Sequence, residues 1–212
     1  MNVEVMRNVF ARNDALAADT RALLTQYGIV SVNLIGGAGA GKTTLLEATL
    51  PKLAGRKRTA VLEGDIATTH DAERIAALGV PAMQLLTDGG CHLGAALVYN
   101  SIQKLPLAEL DLVFIENVGN LVCPANFDLG EQRTVAVLST AEGDDKPAKY
   151  PLLFKRANAV VLTKLDLLPH VSFDVEQCIR YIRQLNEAAP IFALSAKTGD
   201  SLDDWVTWLL SA

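Results

Sequence analysis

One eight-residue run limits what this chain can fold into more than any other feature. Gly36-Gly37-Ala38-Gly39-Ala40-Gly41-Lys42-Thr43 fits the pattern G-x-x-x-x-G-K-[ST], and it lies between an apolar run, Ile29 to Ile35, and a stretch of helical periodicity, Lys42 to Leu53. Glycines let consecutive backbone N–H groups turn inward around phosphate oxygens, and a helix N-terminus adds the positive end of its dipole. A flexible Gly/Ala turn does not account for Lys-Thr directly after the last glycine. The run therefore predicts a phosphate cradle of Gly37, Ala38, Gly39, Ala40, Gly41, Lys42, Thr43 and Thr44. In it Lys42 reaches the β- and γ-phosphates and the Thr43 hydroxyl binds Mg²⁺.

Around the cradle, apolar runs alternate with helical stretches. Ile29 to Ile35, Thr59 to Leu62, Ala82 to Leu86, Leu112 to Ile115, Thr134 to Leu138, Ala159 to Leu162 and Pro190 to Leu194 are near-continuous apolar segments, the pattern of strands buried on both faces. Lys42 to Leu53, His70 to Leu78, His92 to Leu105, Asp174 to Asn186 and Leu202 to Leu210 carry helical periodicity. Residues 4 to 26 also read as a helix, with Val5, Met6, Val9 and Phe10 on one apolar face and Gly28 placed to end it. The expected fold is α/β: a P-loop NTPase three-layer sandwich with a mostly parallel central sheet of about seven strands, residues 1–212 forming one domain and residues 1–27 a helix packed on it.

Half of the 212 residues are apolar and 20% are charged, which suits one sizeable core. A formal charge of −5 with interspersed signs argues against nucleic acid as a partner, and Arg56-Lys57-Arg58 reads as a solvated turn. No stretch approaches the roughly 18 to 20 apolar residues of a membrane span, and no leader pattern opens the chain, so a cytoplasmic protein is expected. Cys91, Cys123 and Cys178 are widely spaced and odd in number, which favours reduced thiols over a disulfide framework.

The base is read elsewhere. Thr163-Lys164-Leu165-Asp166 follows the apolar run Ala159 to Leu162. The Asp166 carboxylate offers two acceptors to the N1–H and 2-amino donors of guanine, and the Lys164 stem can lie along the base. Adenine lacks that donor pair, so the nucleotide is expected to be GTP. Ser195-Ala196-Lys197, after the next apolar run, resembles the second base-contacting loop of GTPases, which gives backbone N–H to the guanine oxygen. Thr163 stands where such GTPases usually carry Asn, a departure that bears on one loop-bracing hydrogen bond and not on base choice.

Glu63-Gly64-Asp65 and Glu116-Asn117 close two of the expected strands, placing acids at the carboxyl end of the sheet, where nucleotide binds. Asp65 and Glu116 are candidates to hold Mg²⁺ or its waters, and Lys42, Asp65 and Glu116 to carry hydrolysis of the γ-phosphate. Asp65 or Asp71 could orient the attacking water or serve Mg²⁺; Asp71 could equally cap the helix after it.

Gly89-Gly90-Cys91-His92 places a soft and a borderline metal ligand side by side at the same end of the sheet, and Cys123-Pro124 follows the segment beginning at Glu116. Cys91, His92 and Cys123 are thus candidate ligands; the alternatives are buried thiols and a helix-capping His92. Three ligands leave a metal open to a second subunit or water, and a symmetric dimer pooling them is the simplest closure. Cys178, beside Ile179 and Ile182, reads as core.

GGAGAGKTT at 36–44, LEGDIATTHDAERI at 62–75, GGCHL at 89–93, ENVGNLVCP at 116–124, EGDDKPAKYP at 142–151 and TKLDLLP at 163–169 resemble the HypB hydrogenase maturation proteins, the GTPases for nickel insertion into [NiFe]-hydrogenase. The urease nickel-insertion GTPases share fold and P-loop but typically carry Cys-Pro-His, whereas Cys91 and His92 are adjacent. The resemblance implies that Cys91, His92 and Cys123 bind nickel or zinc near a GTP-dependent homodimer interface, with a HypA-type nickel chaperone and the hydrogenase large subunit as partners. The His-rich or Cys-rich N-terminal motif of many members has no counterpart here, so nickel storage is not implied. A urease-type nickel-insertion GTPase, a P-loop kinase using the acidic Glu142 to Lys149 loop as a lid, and a non-catalytic metal carrier are the competing expectations.

Overall fold

A computed structural model describes residues 2–66 and 68–211, with the helical backbone alone for residues 2–10. The apolar face expected at Val5, Met6, Val9 and Phe10 lies outside the described side chains.

The chain alternates as expected. α1 (Asn2–Gln26) leads into β1 (Val30–Gly36), α2 (Lys42–Leu53), β2 (Thr59–Asp65), α3 (His70–Ala76), β3 (Ala82–Leu86), α4 (Ala95–Ile102) and β4 (Leu112–Glu116). β5 (Arg133–Ser139), α5 (Lys146–Lys149), α6 (Pro151–Arg156), β6 (Ala159–Thr163), α7 (Val175–Leu185), β7 (Ile191–Ala193) and α8 (Leu202–Leu210) follow. The strands form one seven-stranded sheet in the order β3-β2-β4-β1-β5-β6-β7, and each pairing is parallel.

Burial on both faces explains the apolar runs. Val32, Leu34, Phe114 and Val137 pack with Leu45, Leu46 and Leu50 of α2 and Trp205 and Leu209 of α8. The alternate residues face the other layer, Val113 and Ile115 with Leu24 of α1 and Val98 of α4, and Ala136 and Leu162 with Phe154 of α6 and Ile182 of α7. The three-layer expectation holds, with every strand parallel rather than most. α1 ends as expected, its exit turning through Gly28 at φ 67°.

Three boundaries differ. The helix expected over His92 to Leu105 forms only over Ala95–Ile102, because Gly94 is extended and keeps Cys91 and His92 in a loop. The stretch expected as a loop over Glu142 to Lys149 contains α5, and α6 follows it. Pro147 and Pro151 sit in the first turns of these helices, where the missing N–H costs nothing. The third moves the end of α3 to Ala76, two residues short of Leu78.

β1 lies where the strand order reverses, with β4 on one side and β5 on the other. In open parallel sheets the crevice beyond the carboxyl ends of such strands is the ligand site.

Candidate nucleotide and metal site

The loop after β1 forms the expected cradle. Gly39 and Gly41 adopt φ of 75° and 87°, a region that side chains with a Cβ rarely enter. Gly41 is also the N-cap of α2, so the helix N-terminus opens onto the cleft. A Cβ at Gly119 would come within 2.7 Å of the Ala38 Cα, so the loop after β4 closes against the cradle only because that position is glycine.

Lys42 is 6% exposed, and its Nζ meets the Gly36 and Gly37 carbonyls at 3.5 Å and Glu116 Oε1 at 3.9 Å. These contacts lie at or beyond the limit of a hydrogen bond, so the ammonium keeps donors for an anion. Thr43 donates to Glu116 Oε1 at 2.9 Å. Glu116 Oε2 is buried with no donor other than the adjacent Glu63 carboxyl, and burial raises the Glu116 pKa against the pull of Lys42 and the Thr43 hydroxyl. Hydroxyl and carboxylate oxygens in a buried, under-satisfied set fit a hard divalent cation such as Mg²⁺. A cleft of about 360 Å³ joins these groups to Ala38, Asp65, Asp71, Arg74 and Asn117.

Glu63 was named in the sequence only as part of a strand end, yet it lies in register beside Glu116 across the β2–β4 pair. Burial, then the neighbouring carboxylate, pushes its pKa up to about 10, so it stays a neutral acid near neutral pH. Alternation could have revealed it: Glu63 shares parity with Val61 and faces α2.

Asp65 and Asp71 take different parts. Asp65 accepts from the Ile66 N–H at 2.6 Å and from the Thr68 N–H and hydroxyl, bracing its own loop. Asp71 does not cap α3. Thr69 is the N-cap, and Asp71 accepts from Arg74 Nη1 at 2.7 Å while Arg74 also grips Glu47 of α2.

A second cleft, of about 340 Å³, adjoins the first and is lined by Gly41, Thr44, Thr163, Lys164, Asp166, Leu167, Ala196 and Lys197. Ser195 donates to Asp166 Oδ1 at 2.7 Å, fixing the carboxylate. Lys164 Nζ reaches the Gly39 carbonyl at 2.7 Å. The brace expected to suffer from Thr163 is made: its hydroxyl donates to the Ala40 carbonyl at 2.6 Å and ties the base loop to the cradle. At the start of the Glu142 to Lys149 segment, Glu142 Oε2 accepts the Ser139 N–H and its side chain stands against Gly37.

Cys91, His92 and Cys123 meet at the end of the sheet beside the first cleft, their ligand atoms within 4.8 Å of one another. Cys91 Sγ and His92 Nδ1 are 3.6 Å apart, close to the edge of about 3.5–3.8 Å that a tetrahedral zinc-like site requires. His92 is not a helix cap; its ring stacks on Phe127 with centroids 3.8 Å apart, and burial lowers its pKa, favouring the neutral imidazole that binds metals. Contact with the Cys91 thiol, then burial, raises the Cys123 pKa. Asn120 donates to the Cys91 carbonyl at 3.4 Å, joining the two ligand segments. Cys178 is fully buried among the α6 and α7 side chains, as expected of a core thiol.

Residues 30–193 match the family described as CobW/HypB/UreG, nucleotide-binding domain. The chain is 46% identical to the hydrogenase maturation factor HypB of Azotobacter vinelandii over 207 residues, 98% of this chain and 68% of the relative. The crystal structure of the HypB of Archaeoglobus fulgidus superposes with a TM-score of 0.89 at 36% identity, covering 95% of this chain and 98% of that one. The HypB of Helicobacter pylori in complex with nickel gives 0.90 at 37% identity, covering 94% of each chain.

Proposed function

From the premise that this chain belongs to the CobW/HypB/UreG family, among its HypB hydrogenase maturation factors, we propose that it is a GTP hydrolase that regulates delivery of nickel to a [NiFe]-hydrogenase. The observation that carries this reading is the sharing of one sheet end by two chemistries. Cys91, His92 and Cys123 gather beside a cleft lined by Lys42, Thr43, Asp65 and Glu116.

Gly37 to Thr44 cradle the phosphates, Lys42 supports the β- and γ-oxygens, and Asp166 with Lys164, Ser195, Ala196 and Lys197 selects guanine. Thr43 and Glu116, with Asp65 and Asp71 nearby, hold Mg²⁺, which neutralises charge developing on the transferred phosphoryl group. Asp65 or Asp71 orients the attacking water. Asp65 would do so while accepting from Ile66 and Thr68, contacts that hold its carboxylate in place.

Two thiols and an imidazole leave one tetrahedral position open. A second copy of the chain, drawn in by GTP, closes the site, and the exposed Ile66, Leu86 and Val122 at the same sheet end supply apolar surface for that contact. Zinc fits the same donors and is the competing ion. A HypA-type nickel chaperone and the hydrogenase large subunit are the proposed donor and recipient.

Moving a two-state equilibrium from 1:99 to 99:1 takes about 5.5 kcal/mol of differential binding, within reach of γ-phosphate and Mg²⁺ contacts. Linkage then makes metal affinity depend on nucleotide. Nickel titrations of the wild type in GDP and in a non-hydrolysable GTP analogue, with oligomeric state measured in parallel, test this. Different affinities and an analogue-dependent dimer are expected, with Cys91→Ala abolishing tight nickel binding. Equal affinities in both nucleotides would defeat the coupling.

A further inference from the structure

Consecutive residues of extended backbone point to opposite faces of a sheet. At the end of β4 this sends Glu116 toward α2, where it meets Thr43, and Asn117 toward the layer of α1 and α4. The Asn117 N–H still bonds the Leu34 carbonyl at 3.0 Å, which continues the strand. Asn117 Oδ1 accepts the Leu93 N–H at 3.2 Å and the Val118 N–H at 3.0 Å. Its amide nitrogen donates to Asn33 Oδ1 at 3.3 Å, and Asn33 Nδ2 donates to Glu131 Oε1 at 3.0 Å. The other Glu131 oxygen accepts the Leu129 N–H at 2.9 Å.

This chain of amides joins two segments far apart in sequence. Leu93 follows His92 directly, and Leu129 lies on the segment leading away from Cys123, past the Phe127 ring that stacks on His92. A second bridge joins the same segments outside the sheet. Asn13 of α1 accepts the Ala95 N–H at 3.0 Å and donates to the Asp128 carbonyl at 2.8 Å, while Arg21 holds the Asp128 carboxylate at 2.8 and 2.9 Å. The inner bridge passes through a residue that lines the nucleotide cleft. The outer one does not touch it.

We propose that Asn117 is the positioning residue that sets the separation of the Cys91-His92 and Cys123 segments according to the occupant of the nucleotide cleft, and that Asn13 is a clamp on the same segments independent of nucleotide. The inference rests on the nucleotide–metal coupling proposed above. Its physical basis is that Asn117 and Asn33 are buried, so a shift at Glu116 cannot leave their amides unpaired without loss and is passed along the chain. β4 then acts as a two-sided lever: Glu116 senses the nucleotide side and Asn117 moves the metal side.

The test is a nickel titration of wild type, Asn117→Ala and Asn13→Ala, each at saturating GDP and at saturating non-hydrolysable GTP analogue. Allosteric couplings commonly change affinity about 5- to 150-fold, and Asn117→Ala is expected to bring the ratio between the two nucleotides to within roughly twofold of unity. Asn13→Ala is expected to weaken nickel binding by a similar factor in both nucleotides and to leave their ratio as in the wild type. A merely structural role for Asn117 would instead lower both affinities and keep the ratio, which overturns the inference while leaving the coupling intact. A wild-type ratio of one overturns both. Amide hydrogen exchange at Leu93 and Leu129 in the unmodified protein needs no variant to fold: protection at both amides should differ between GDP and the analogue, and unchanged protection overturns the inference.

Discussion

Asp166 is the side chain to which the proposed function assigns the choice of nucleotide. Its carboxylate is oriented by the Ser195 hydroxyl at 2.7 Å, and an Asn in its place presents one donor and one acceptor where guanine needs two acceptors. Asp166→Asn is expected to weaken GTP binding by about 10³-fold or more and to gain affinity for xanthosine triphosphate, whose 2-oxo group accepts from the new amide. Nucleotide titrations check both, and unchanged GTP affinity would remove Asp166 from the base site. The thiols separate as clearly. Burial pushes the Cys178 pKa up to about 12, whereas Cys91 is exposed. At pH 8 an alkylating reagent should label Cys91 first and leave Cys178 intact in the folded protein, as read by peptide mass spectrometry; equal labelling rates would contradict the burial argument. Thr163 was legible only in part. The sequence marked its departure from Asn, but only the approach of the Ala40 carbonyl shows that a hydroxyl reaches far enough to make the brace.

Among the elements, β2 and β4 are tied at their N-terminal ends as well as at the site. Asp111 accepts from the Arg58 backbone N–H at 2.8 Å and from its guanidinium at 3.0 and 2.8 Å. The guanidinium bond and the backbone bond hold the Asp111 pKa down to about 2. A folded-state pKa below the unfolded value near 3.9 means stability that is present above about pH 4 and lost as pH falls toward about 2. Asp111→Asn should therefore flatten the decline of the thermal midpoint between pH 4 and 2, and an unchanged slope would show the pair to be idle. The helices that sequence periodicity missed, α5 and α6, span four and six residues, too short to show a helical period, and each has a proline in its first turn, where it is compatible with a helix. The late start of α4 at Ala95 was hidden for the opposite reason. His92 and Leu93 fit the helical period, but the extended Gly94 and the Leu93 bond to Asn117 hold them in a loop.

Across the whole molecule, α8 covers the far side of the nucleotide helix. Trp205 is fully buried, donates from Nε1 to Thr49 Oγ1 at 3.0 Å and packs edge-on to Phe192. Trp205→Ala should cost about 3–5 kcal/mol, measured by denaturant unfolding of the nucleotide-free protein; a loss under about 1 kcal/mol would mean that α8 is not part of the cooperative core. The sequence by itself determined the alternation of strands and helices, the cradle from Gly36 to Thr43 and the place of the proposed base-reading segment at Thr163 to Asp166. Each of these depends on periodicity or on residues adjacent in the chain, where spacing alone dictates geometry. The tertiary structure decided what depends on the crossovers: the sheet order that puts β1 between β4 and β5, the meeting of Cys91 and His92 with Cys123, and the pairing of Glu63 with Glu116. The bridge from Leu93 through Asn117, Asn33 and Glu131 to Leu129 belongs there too. Its members come from four separate segments, and no local pattern marks a buried amide whose partner lies on another strand.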